Sequence, residues 1–311
     1  MLTKYQLSEQ APGFIEAEEE ARACWWDLED PCQEELSEAT KSLNFPPSFL
    51  ADPLDVRERP RIDQEDETLM LIIRMPVLSD DNQGPGFYTT PLGLIVKGDK
   101  LVTVCRRGEV AKKVVSRFFR KPRATSNVKI LLKILIECSV DFMNHLELME
   151  DITDAAEASL GKAQHNDQIM TLLTIDKALI NYSVALKSNR SIVGKLTDVA
   201  ILPLTPEEMD LLDYAMIENQ QATYMADIFG QVLGSLGDAF GTIINNNLNK
   251  IMKLLTGVTI ILMIPTLIVG AYGMNVALPL AVKDQAFWII LGISVVLSLL
   301  SFIIFWKKHW I

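Results

Sequence analysis

Two runs near the C-terminal end set the hydrophobic pattern of this chain. From Leu254 to Tyr272 there is no charged residue over 19 positions, and Ala286 to Trp306 is equally free of charge, with only Gly273 to Gln285 between them. At about 1.5 Å per residue, a run of that length crosses a hydrocarbon core of roughly 30 Å. The pattern predicts two transmembrane helices, 254–272 and 286–306, an external loop over 273–285 and a basic tail over 307–311. The first span is not uniformly apolar. Asn249, Met252, Thr256, Thr259, Met263, Thr266 and Gly270 recur every third or fourth residue, so one face is polar, small or thioether while the others are Leu, Ile and Val. Such a face suits a helix-packing seam or the lining of a pore. The second span, with Ile289, Ile290, Leu291, Val295, Val296, Leu297, Leu299, Leu300, Ile303 and Ile304, is expected to have no polar face.

Upstream, Thr205-Pro206-Glu207-Glu208 has the form of a helix start: Thr as N-cap, Pro in the first turn and carboxylates at the positive end of the dipole. No proline follows until Pro265, which predicts a stalk helix, 205–253, continuing into the first span, about 60 residues and on the order of 90 Å in all. Ala222, Ala226, Gly230, Gly234, Gly237 and Gly241 repeat along it. Each glycine weakens a helix by roughly 1 kcal/mol relative to Ala, so the repeat implies either close helix approach or a bending region.

Residues 126–204 place Ile130, Ile134, Val140, Met143, Leu146 and Met149, then Ile169, Leu172, Leu173, Ile175, Leu179 and Leu186, at helical spacing. They predict an antiparallel pair of long helices hinged near Gly161 to Asn166. Glu147, Glu150, Asp151, Asp154 and Glu157 share a face of the first helix, either simply solvated or gathering divalent cations. Residues 1–125 predict a cytoplasmic α/β domain. Strand-like runs cover Thr68 to Met75, Gly86 to Tyr88, Pro91 to Lys97 and Lys100 to Arg106, with Gly98-Asp99 as a hairpin turn. Met1 to Lys41 is acidic and helix-prone around Glu16, Glu18, Glu19 and Glu20, with Trp25 and Trp26 as core anchors.

Composition narrows the class. At 311 residues, 49% hydrophobic and a net charge of −11, the chain is too long for one compact unit and too acidic to favour nucleic acid. The polar opening residues carry no signal-peptide pattern, and Cys24, Cys32, Cys105 and Cys138 lack a C-x-x-C pair, so free thiols in a reducing compartment are expected. Lys250 and Lys253 precede the first span and Lys307 and Lys308 follow the second, whereas Lys283 in the loop is offset by Asp284. The basic residues predict both termini in the cytoplasm. His145, His165 and His309 are isolated, and no G-x-S-x-G, Walker A or zinc-protease motif supports an enzyme.

Tyr272-Gly273-Met274-Asn275 closes the first span, with Pro265-Thr266 upstream, a second span following and Lys307 to Trp310 at the end. This order resembles the CorA family of divalent-cation channels, and the likeness extends over nearly the whole chain, including the run from Leu50 to Arg74, where a helix and an Arg-Pro step would lead into the first central strand. The resemblance implies a membrane homo-oligomer, a pentamer, with first spans around the axis and second spans outside. It implies a selectivity filter of Gly273, Met274 and Asn275 and a pore lined by Asn249, Met252, Leu255, Thr256, Thr259, Met263, Thr266 and Gly270. It also implies an inner ring of Asp238, and regulatory metal carboxylates at Asp210 and Asp213. Mg2+ would be the substrate, with Co2+ and Ni2+ as further candidates, and Mg2+ also the regulatory ligand, with no covalent cofactor, in the cytoplasmic membrane.

The chemistry is coherent. Mg2+ gives up water reluctantly, so amide and carbonyl oxygens that accept hydrogen bonds from its water suit passage better than carboxylates that would hold the ion. No Asp or Glu lies between Asp238 and Asp284. Met252, Leu255 and Met263, repeated around an axis, would form apolar constrictions that close by dewetting. One departure stands out: after the Gly-Met-Asn, Val276-Ala277-Leu278-Pro279-Leu280 replaces the family's acidic outer segment, leaving Asp284 as the external loop charge. A Zn2+ transporter of the same architecture and a non-transporting membrane scaffold are the alternatives.

Overall fold

Long strands with both faces covered need apolar residues at successive positions, and TLMLIIRM is such a run. In the computed structural model, which describes residues 1–7, 14–16, 24–81, 84–107, 110–118, 126–158, 165–199, 202–276, 279, 285–308 and 310, it lies in a strand, β5 (Thr68–Asp81). This strand pairs along its whole length with β6 (Gly84–Lys97), which turns into β7 (Lys100–Cys105). Gly98 takes φ +56° in that turn, the left-handed region that glycine enters without strain. Gly93 is needed for a different reason: a Cβ there would lie 2.4 Å from the Pro53 ring, which packs against the strand.

At Glu16 the N-terminal region departs from the expected helix propensity. β1 (Leu2–Leu7), β2 (Phe14–Glu16) and β3 (Trp25–Glu29) are strands, and α1 (Gln33–Leu43) is a helix. Glu16 ends β2, while 18–20 lie outside the described residues. Pairing decides this: β3 lies parallel to β7 and antiparallel to β1, and a shared ladder outweighs the local preference of glutamates for helix. β4 (Arg61–Glu65) completes a seven-stranded sheet of order β2-β1-β3-β7-β6-β5-β4. The Arg59-Pro60 step therefore leads into an edge strand, not a central one.

Alternation along the strands divides the core between two faces. Trp26, Leu28, Met70, Ile72, Ile95, Val102 and Val104 pack with Ala39 of α1, Phe45, and Phe49 and Leu50 of α2 (Pro47–Ala51). The other face is covered by α4 (Asn127–Ala158) and α5 (His165–Gly194), with α3 (Val110–Phe118) against α4. Trp25 and Trp26, on successive positions, are both fully buried, one toward each layer. Beside Trp25, its indole N–H donates to Thr103 Oγ1 at 3.1 Å, and the Thr103 hydroxyl donates to Asp27. Burial raises the Asp27 carboxyl to about 6, against the opposing hydrogen bond from Thr103.

α4 and α5 meet where Phe142 packs edge-on to Tyr182 and the Tyr182 hydroxyl hydrogen-bonds His145 Nδ1 at 2.8 Å. Along α5, Leu172, Ile175, Leu179 and Leu186 are buried as their spacing predicts, but Leu173 is exposed. α6 (Pro206–Tyr272) begins with a reciprocal cap. Glu208 N–H donates to Thr205 Oγ1 at 3.3 Å, and Thr205 N–H and hydroxyl each donate to Glu208 Oε2 at 2.9 Å. Ser126 at the start of α4 also donates to Glu208, and Lys129 pairs with Glu207 at 2.6 Å.

Contacts divide the chain into two units, Met1–Leu233 and Gly234–Ile311. Within the first, Ala222 and Ala226 of α6 are buried and a Cβ on Gly230 would meet Leu179 of α5 at 3.6 Å. Ser183 and Lys187 of α5 both reach Asp227, at 2.9 and 2.8 Å. Half of the small-residue repeat thus serves close helix approach. At Gly234, Gly237 and Gly241 a Cβ would meet nothing within 4 Å. The second unit holds the rest of α6 and α7 (Ala286–Lys307).

Candidate ion-conduction path

Among the described residues, three stretches are long and apolar enough to cross a bilayer: Gln168–Asp198, Pro206–Tyr272 and Ala286–Lys307. Burial separates them. The most apolar window of the first is 39% buried in the chain, against 6% for each of the other two. α5 spends its apolar face on the sheet, whereas the α6 and α7 segments leave theirs free for lipid or for other copies.

The two spanning segments pack through one narrow seam. On α6, Gly257 is buried and Ile261, Ile264, Pro265 and Ile268 are partly buried; on α7, Ser294 is buried and Ser298, Ser301 and Phe305 are partly buried. The second span therefore has a small polar face, contrary to expectation. Serine is compact enough to let two helices approach, and in a bilayer its hydroxyl needs a backbone carbonyl close at hand. The three- and four-residue spacing of Ser294, Ser298 and Ser301 was the available signal, hidden among the surrounding Ile, Val and Leu.

The predicted stripe lies elsewhere on α6. Asn249, Met252, Leu255, Thr256, Thr259, Met263, Thr266 and Gly270 are all exposed, Met252 at 57%, Leu255 at 60% and Met263 at 63%. At 3.6 residues per turn the stripe is centred roughly 150° round the helix from the seam. Packing against α7 thus does not account for it. Asp238 is exposed and in phase with the stripe. Two of the stripe's threonine hydroxyls turn inward along their own helix: Thr259 donates to Leu255 O at 2.8 Å and Thr266 to Leu262 O at 3.0 Å. With the proton committed, each Oγ1 offers lone pairs outward, an acceptor for the hydrogens of a cation's hydration shell.

At the end of α6 the chain turns tightly. Gly273 N–H donates to Val269 O at 2.9 Å and Met274 N–H to Ala271 O at 3.3 Å, so Gly-Met-Asn follows directly as the cap of the helix. The Tyr272 hydroxyl donates to Pro279 O at 3.1 Å and ties the following loop back to the helix end. Met274 and Asn275 are exposed, leaving the Asn275 amide free to meet solvent or an ion's water. Asp284 lies outside the described residues.

The remaining carboxylates are dispersed. Asp210 and Asp213 are exposed on the first turns of α6, and Glu147, Glu150, Asp151, Asp154 and Glu157 are exposed on α4. Among the described residues no group of three or more His, Cys, Asp or Glu side chains is placed to hold a metal within one chain.

Comparison with known proteins decides the family. The model of the CorA-like Mg2+ transporter protein family matches residues 20–308. The chain belongs to this CorA-like family. Among CorA relatives, the cobalt/magnesium transport protein CorA of Methanocaldococcus jannaschii is 29% identical over 302 residues, covering 94% of this chain and 93% of that protein. The Thermotoga maritima cobalt/magnesium transport protein CorA is 23% identical over 277 residues, 85% of this chain and 76% of that one. The complete structure of the CorA magnesium transporter from M. jannaschii superposes with a TM-score of 0.85 at 26% identity, covering 100% of this chain and 99% of that one. This is a CorA-type membrane protein: an α/β body, long helices and a C-terminal helical pair carrying Gly-Met-Asn between its members.

Proposed function

We propose that this chain is the subunit of a homopentameric channel that passes hydrated Mg2+ across the cytoplasmic membrane, both termini lying in the cytoplasm. The observation that carries the reading is the α6 stripe, which is polar and thioether, unburied, turned away from α7, and ends at Gly273, Met274 and Asn275. A single helix cannot enclose a path, so copies must surround it; five is the number the family resemblance suggests. That these relatives are cobalt/magnesium transport proteins supports divalent-cation transport, with magnesium and cobalt as candidate substrates.

In this reading Asp238 gathers cations at the inner end of the path and the Asn275 amides accept hydrogen bonds from the water around the ion at the outer end. Met252, Leu255 and Met263 close the path by dewetting. Cytoplasmic Mg2+, held between carboxylates of neighbouring subunits with Asp210 and Asp213 as candidates, keeps it shut. Two carboxylates at 4 Å repel by roughly 4 kcal/mol at an effective dielectric of 20, enough to bias a two-state stalk when the ion leaves.

The test is uptake by purified protein in lipid vesicles, with Mg2+, Co2+, Ni2+ and Zn2+ offered separately. Mg2+ entry that Asn275→Ala abolishes, with assembly intact, is the expected result. Entry of Zn2+ alone would assign the other substrate, no entry of any ion would favour a scaffold, and full uptake by Asn275→Ala would remove that residue from the filter.

A further inference from the structure

Pro265 interrupts the hydrogen-bond ladder of α6 inside the spanning segment. Having no N–H, it leaves the carbonyl of Ile261, four residues earlier, without the donor that a helix normally supplies. Within a bilayer no water is at hand to replace it, and such a vacancy is tolerated where a neighbouring side chain fills it. Ser298 of α7 does so: its hydroxyl donates to Ile261 O across the seam at 3.4 Å.

The neighbouring hydroxyls behave differently. Ser294 donates to Ile290 O at 2.9 Å and Ser301 to Leu297 O at 3.0 Å, each within α7, as Thr259 and Thr266 do within α6. Ser298 shares the seam with Ser294 and Ser301 but reaches the other helix, at the one carbonyl of that span whose partner a proline has removed. Met263 and Thr266, which flank Pro265 in sequence, both belong to the exposed stripe.

We propose that Ser298 is a positioning residue for the conduction helix: its hydroxyl stands in for the amide missing at Pro265, so that α7 fixes the course of α6 where Met263 and Thr266 face the path. The proposal rests on the channel reading for its effect on flux, but not for the hydrogen bond itself. Ser298 touches no ion; it acts through the backbone of Ile261.

The experiment is a double-mutant cycle on the full-length protein, read in parallel by thermal unfolding in lipid and by Mg2+ uptake in vesicles. Ser298→Ala is expected to lower the unfolding temperature and to change the initial uptake rate by about 2- to 10-fold, the range for one hydrogen bond. Ser298→Thr, which keeps the hydroxyl, should restore both. In a Pro265→Ala background the new amide satisfies Ile261 O, so adding Ser298→Ala should leave both readings of that parent unchanged. Equal effects of Ser298→Ala in the two backgrounds, or no effect in either, would overturn the proposal. Should Pro265→Ala fail to assemble, Ser294→Ala and Ser301→Ala decide: losses as large as that of Ser298→Ala would reduce Ser298 to one more packing residue. Unfolding results that follow the cycle in a protein that carries no Mg2+ would refute the channel reading and keep the hydrogen bond; transport without the cycle would do the reverse.

Discussion

Asn189 of α5 completes the sheet at a point where no strand is available. The pairing of β4 with β5 ends at Arg61 and Ile72, so the backbone of Arg74, two residues further along β5, faces outward with no ladder partner on that side. The Asn189 side chain fills the gap, accepting from Arg74 N–H at 2.9 Å and donating to Arg74 O at 2.6 Å while only 3% exposed. Asn189→Ala removes both bonds and leaves two part-buried backbone groups without them, each costing about 1–3 kcal/mol. The Cys138 thiol keeps a contact with the carbonyl at 3.5 Å, which offsets part of the loss. A net destabilisation of about 3 kcal/mol is expected, equivalent to a fall of roughly 6–12 °C in the unfolding temperature of a unit this large. Emission from Trp25 and Trp26, buried in the same sheet, reports it in the solubilised protein. Amide exchange at Arg74 should accelerate in parallel, a local signature that general loosening of α5 would not single out. A fall of under about 2 °C, less than about 1 kcal/mol by the same conversion, would refute the reasoning and mean that water or a rearranged side chain replaces the amide.

Asp27 sets a pH dependence of stability. Its carboxyl, raised from 3.8 to about 6 by burial, favours the folded state fully below pH 3.8 and loses that advantage as pH rises through 6, a change of up to about 3 kcal/mol. Asp27→Asn should flatten unfolding free energy between pH 4 and 6.5 relative to the parent; an unaltered slope would assign the dependence to another group. Met263→Asp should wet the apolar constriction and raise Mg2+ leak into vesicles, and an assembled variant with unchanged flux would take Met263 off the path.

Much of the organisation could be read from the sequence because local physics determined it. Two uncharged runs of bilayer length have few alternatives in water, and Gly98 marks a turn that its φ of +56° requires. Thr205 and Glu208 announce a helix start because the cap is made within four residues. The stripe on α6 was visible as a periodicity, but its direction was not. Only the packing of α7 on the face of Gly257 and Ile261 showed that Met252, Thr259 and Met263 stay uncovered within the chain. The N-terminal strands escaped local reading because β3 acquires its conformation from β7, some 75 residues later in the chain, and glutamate-rich flanks say nothing of that partner. Ser298 and Asn189 escaped for the same reason. Each is an ordinary polar residue until the fold brings it to a backbone group whose usual hydrogen-bond partner is missing, and that encounter is a property of tertiary structure alone.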